Sequence, residues 1–92
     1  MSYVRILGSH SFKVDKMGAG TIAAPLGASY ECSEVFIQNS TENAVNILLG
    51  SSEQQLISLS PGMGFTLPVQ NINDVYVKTV SSTATVVFLA RS

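Results

Sequence analysis

His10 is the single histidine of this chain, with Ser9 and Ser11 on either side of it and Asp15 five residues on. Hydroxyl, imidazole and carboxylate are the residue types of a nucleophilic triad, in which the imidazole takes the hydroxyl proton and the carboxylate orients the ring. The surrounding sequence has no strand-to-helix nucleophile elbow, and a histidine in an exposed turn accounts for the same residues. Glu31, Cys32 and Glu34 form a second group of possible ligands. It lacks a second cysteine, a histidine and calcium-loop spacing, so no metal site is expected there, and Cys32 reads as a small buried apolar residue.

Two glycine pairs, Gly18-Ala19-Gly20 and Gly62-Met63-Gly64, lack the third glycine and the following helix of a phosphate-binding loop and read as turns. Sugar recognition would need exposed aromatics beside amides and carboxylates. Tyr76 has Asn71, Asn73 and Asp74 close to it in sequence, and Tyr3 and Tyr30 are also available, but the chain has no Trp. A strand tyrosine that packs its ring and wets its hydroxyl explains the same residues. No catalytic residue, cofactor or metal is expected, and the chain does not read as an enzyme.

The elements that would position these groups have period two. In SEVFIQN, Val35 and Ile37 share one face of an extended chain, while Glu34 and Gln38 take the other with Phe36 between them. NSTEN supplies turn residues, and AVNILLG resumes with Val45, Ile47 and Leu49 on one side, so residues 34–50 are expected to form a hairpin. Asn39-Ser40-Thr41, a nominal glycosylation acceptor, is read as part of that polar loop. LISL is a short strand. SPGMG is a turn in which Pro61 presets φ and Gly62 takes φ > 0, and FTLPVQ is the return strand, with Pro68 placing it at an edge or bulge. VYVKTV, a VSST turn and TATVVFLA follow, the last with Val86 and Phe88 on one face and Val87 and Leu89 on the other.

Short strands every 8–12 residues with Gly, Pro, Ser and Asn between them predict an all-β fold, a small antiparallel β-sandwich or jelly-roll-like barrel. Ninety-two residues make one domain. Within it, 31–92 is expected to be the sandwich core. Residues 1–30 hold strands in YVRIL and SFKVDKM and an irregular, small-residue segment, GAGTIAAPLGASYE, that reads equally as an arm lying on a neighbour or as a surface loop.

Only 12% of the residues are charged, against roughly a quarter in an average globular protein, so an unusually large share of the surface carries no charge. A net charge of -1 and basic residues scattered at Arg5, Lys13, Lys16, Lys78 and Arg91 argue against nucleic acid. No run approaches a membrane span or a secretory leader, and a single cysteine fits folding in a reducing compartment.

Residues 35–90 carry a resemblance. VFIQNSTENAVNILLG, then LSPGMGFTLPV, then the N-x-x-x-VYV run and SSTATVVFLA resemble small virion proteins of tailed bacteriophages, among them capsid decoration (cement) proteins. The resemblance implies a structural role: binding the major capsid protein on the outer surface of a phage capsid, commonly as a trimer, and stabilising the shell after synthesis in the host cytoplasm. A tail, fibre or head-tail adaptor module touching a receptor or glycan is the alternative. A surface so poor in charge fits burial against identical copies or another protein. Candidate contact residues are Met63 and Phe65 after the Pro-Gly turn, Val87 and Leu89 on the second face of the last strand, and Ile22 and Leu26 in the N-terminal segment. For Phe65 in particular, filling the domain's own core is the competing role.

Overall fold

The computed structural model describes residues 12–92; His10, Ser9, Ser11, Tyr3, Arg5 and the YVRIL run lie outside the described residues. The two-residue alternation becomes eight strands: β1 (Phe12–Ala19), β2 (Ala24–Pro25), β3 (Glu34–Asn39), β4 (Ile47–Gly50), β5 (Gln55–Leu59), β6 (Gly64–Leu67), β7 (Tyr76–Thr79) and β8 (Ala84–Arg91). They form two four-stranded sheets, ordered β1-β8-β3-β6 and β2-β7-β4-β5, with antiparallel pairing throughout. Successive strands alternate between the sheets except at β4 and β5, which pair directly. This interleaved order is that of an eight-stranded jelly roll.

The order corrects the local pairings expected from sequence. Residues 34–50 are not a hairpin: β3 bonds to β6 and β8, while β4 bonds to β5 and β7 in the other sheet. The seven residues 40–46 cross from one sheet to the other. The Pro61-Gly62 turn forms, with Gly62 at φ 89°, but it too carries the chain across the core instead of returning it beside β5. Strand β6 lies at a sheet edge and ends at Leu67, just before Pro68, where the missing N–H interrupts no ladder.

The core lies between the sheets. Val35 and Ile37 stand beside Ala90 and Phe88 on one inner face, and Ile47 and Leu49 line the other with Val77. Full burial of each Val, Ile or Leu contributes about 1.5–3 kcal/mol before the conformational entropy opposing it. Ala19 and Leu26 belong to this same core, so the fold has no boundary at residue 30. Strand β1 is eight residues long and fully paired with β8. The irregular part is confined to residues 20–33, interrupted by the two-residue β2, and even there Leu26 N–H donates to the Val75 carbonyl at 2.8 Å.

Asn39 is the main polar feature of the interior. Fully buried, it donates from Nδ2 to the carbonyls of Val45 and Leu59 at 2.9 Å each, and its Oδ1 accepts from Asn43 Nδ2. Asn43 in turn donates to the Thr85 carbonyl at 2.7 Å and accepts from the Thr85 N–H at 3.0 Å. One amide pair thereby ties the β3–β4 crossing to β5 and β8. Asn39 heads the nominal glycosylation pattern, and its burial withholds it from any modifying enzyme in the folded protein.

Candidate functional site

Three surface features are set by this scaffold. The first is the outer face of the β1-β8-β3-β6 sheet. Strand parity and register place Val14, Leu89, Phe36 and Thr66 in one row across all four strands. The next row toward the loops contains Lys16, Val87, Gln38 and Gly64; the row on the other side contains Phe12, Arg91 and Glu34. Phe12, Val14 and Phe36 are exposed, and Val87 and Leu89 are half-buried. Arg91 Nε and Glu34 Oε2 form an ion pair at 2.7 Å at the margin of this apolar band.

The second feature is the end of the sandwich where the β1–β2, β3–β4, β5–β6 and β7–β8 connections meet. Thr79 N–H donates to Gly20 O at 2.8 Å, Gly62 N–H to Asn39 O at 2.7 Å and Ser40 N–H to Thr85 O at 3.3 Å, joining the four connections in a rim. Ile22 (83% exposed), Val80 (73%) and Met63 (51%) protrude from it.

At the opposite end, the β2–β3 and β6–β7 connections enclose an open cleft of about 610 Å³, lined by Glu31, Cys32, Gln70, Asn71, Asn73 and Asp74. Asn71 organises it: Oδ1 accepts from the N–H groups of Tyr30 (3.0 Å) and Asn73 (3.1 Å), and Nδ2 donates to Ser29 Oγ (2.8 Å). Cys32 Sγ donates to Val69 O at 3.2 Å. Burial, and secondarily the Asp74 carboxylate, push the Cys32 thiol above its ordinary pKa, which disfavours a reactive thiolate. The Tyr30 ring sits beneath Lys13 Nζ, 5.5 Å from the ring centroid.

The candidate residues therefore separate. Ile22 and Met63 lie at the same loop end but at opposite edges of it, since β1 and β2 close one edge of the sandwich and β5 and β6 the other; Val87 and Leu89 share the outer sheet face. Leu26 is 1% exposed and belongs to the core, which corrects its assignment as a contact residue, because the turn after β2 points it between the sheets. Phe65 stands opposite core-facing Ile37, yet β6 is an edge strand, so its ring is both turned inward and 41% exposed. Asn71, Asn73 and Asp74 line the cleft, but Tyr76 stands level with Gly50 and Pro25 on the outer face of the other sheet, so the sugar-type grouping is not assembled. Glu31 and Cys32 share the cleft, while Glu34 is held by Arg91. Among the described residues no three His, Cys, Asp or Glu side chains converge as metal ligands, and no helix is long and apolar enough to cross a membrane.

Sequence reasoning missed Phe12, Val14, Phe36 and Val80 as surface residues. Alternation in EVFIQ carried the signal for Phe36, which shares parity with Glu34 and Gln38; alternation in FKVD misleads, because Phe12 and Val14 oppose Lys13 and Asp15 there and yet stand on the outer face. Val80 had none, because it follows the last strand residue on a bend.

No protein-family model matches this chain, and no curated protein matches it in sequence. Its fold is similar to the crystal structure of a cupin domain from Bordetella pertussis Tohama I, with a TM-score of 0.55 and 13% identity over 88% of this chain and 81% of that one. At that identity the likeness is one of architecture, a β-sandwich shared by proteins of many functions.

Proposed function

We propose that this chain is a structural virion protein that binds the outer surface of a phage capsid through the major capsid protein and stabilises the shell, with no catalytic step of its own. The observation that carries the reading is the apolar rim at the loop end. Ile22, Val80 and Met63 are held outward by loops cross-tied through backbone hydrogen bonds. A rim with its backbone already ordered loses little conformational entropy on docking, so apolar side chains there are well placed to anchor in another protein. The resemblance in residues 35–90 supplies the class of partner, and the scarcity of charge supports a surface that works while covered.

The test uses shells of the encoding virus prepared with and without the protein. Co-sedimentation and a raised temperature of thermal disruption are expected, both abolished by Ile22→Asp combined with Val80→Asp. Shells that neither retain the protein nor gain heat resistance would sink the reading.

A tail or adaptor module contacting a glycan is the second reading, favoured by the cleft of amides and carboxylates around Asn71. It predicts binding of the isolated domain to cells or glycans, lost on Asn73→Ala with Asp74→Ala.

A further inference from the structure

We propose that the outer face of the β1-β8-β3-β6 sheet is where a second copy of this chain docks, back to back, about a two-fold axis running close to the strand direction between β8 and β3. This inference is independent of the virion reading, which concerns the loop end.

The face is self-complementary under that operation. A two-fold axis lying in the contact plane along the strands exchanges β8 with β3 and β1 with β6. Leu89 of one copy then faces Phe36 of the second, Val14 faces Thr66, Val87 faces Gln38, and Arg91 faces Glu34. The apolar row meets an apolar row, and each cation at the margin meets a carboxylate, so the intramolecular Arg91–Glu34 pairs become a four-charge group. Rotation about the perpendicular in-plane axis would instead lay Lys16 near Phe12 and leave the Arg91–Glu34 pair over Gln38 and Val87, with no charge matched. The twist of each sheet inclines the two sets of strands by about 30°, so the central row makes the closest contact and the corners splay.

Size decides the strength. Strands of eight, eight, six and four residues, about 4.8 Å apart with about 3.4 Å per residue, give a footprint of roughly 420 Å². That is below the roughly 800 Å² per partner of a stable complex, so the association is reversible and concentration-dependent.

Sedimentation or light scattering of the full chain from about 1 µM to about 1 mM is the test. A monomer–dimer equilibrium is expected. Val14→Lys, at an exposed edge-strand position outside the core, should weaken it by about tenfold or more. Leu56→Lys, at an exposed position of β5 in the other sheet, should leave it unchanged. Glu34→Arg should weaken it, and adding Arg91→Glu should restore it. Circular dichroism at low concentration checks that each variant folds. A monomer at every concentration, a closed trimer, or a dimer indifferent to Val14→Lys and to the charge reversal would each overturn the proposal. A trimer does so because three-fold contacts are heterologous and cannot use one face against itself.

Discussion

The ring of Phe36 in β3 lies across Gly64 of β6, in the space that a side chain at position 64 would occupy. The two are diagonal neighbours on the outer face, since Phe36 pairs with Thr66 and Gln38 with Gly64. An aromatic laid over a strand glycine covers the backbone that the glycine leaves bare, and it keeps Phe36 flat against the sheet. Gly64→Val should push the ring off, lowering stability by about 1–2 kcal/mol, or roughly 4–15 °C in thermal midpoint for a domain of this size. Near-ultraviolet circular dichroism and a thermal melt would check it; an unchanged midpoint would mean the ring has an equally good second position.

Gly50 should be far less tolerant. It sits where the β4–β5 register shifts, and a Cβ there would collide with the backbone carbonyl of Gln54 and the Cα of Gln55. Backbone cannot swing aside as a ring can. Gly50→Ala is expected to cost more than about 3 kcal/mol and to lower the yield of soluble protein. Urea unfolding of whatever folds would measure the loss, and a cost below 1 kcal/mol would count against this turn geometry.

Asn39→Ala removes a bond to the buried Leu59 carbonyl and one to the partly buried Val45 carbonyl, and leaves Asn43, still bonded to Thr85, without its Asn39 acceptor. Unpaired buried polar groups cost about 1–3 kcal/mol each, partly relieved by water, so a loss of about 2–4 kcal/mol is expected. The exposed Arg91–Glu34 pair makes the contrast: at 63% and 36% side-chain exposure, Glu34→Gln should change the stability of the monomer by about 0.5 kcal/mol or less. Chemical denaturation at low protein concentration should rank the two in that order.

Cys32 gives a pH dependence with a definite sign. Its folded-state pKa is raised by burial and then by Asp74, so the unfolded chain loses the thiol proton first as pH rises. The stabilising contribution is complete below the ordinary thiol pKa and is lost as pH climbs from there through the folded value. The urea midpoint should therefore fall over the alkaline range, and Cys32→Ala should flatten that fall. Asp74→Asn should speed alkylation of Cys32 at a fixed mildly alkaline pH by lowering its pKa. An alkylation rate indifferent to Asp74 would remove the carboxylate from the account.

What the sequence determined by itself was which residues of a strand share a face. Alternation in EVFIQ and TVVFL separates Val35, Ile37, Val86 and Phe88 from Phe36, Val87 and Leu89, because extended backbone points successive side chains to opposite sides wherever the strand lies. Pro68 likewise placed FTLPVQ at an edge or a bulge, through chemistry local to one residue; the edge is what forms, and the strand stops at Leu67 instead of running on to Gln70. Tertiary structure alone decided which sheet each strand joins. Both inner faces are apolar and period two is blind to which one a strand supplies, so 34–50 reads as a hairpin although β3 and β4 lie on opposite sides of the core. The crossing depends on contacts distant in sequence: Asn39 with Leu59 and Asn43 with Thr85. Leu26 and the cleft around Asn71 follow the same logic. Their surroundings come from chain segments some 40 residues away, which no local pattern of side chains encodes.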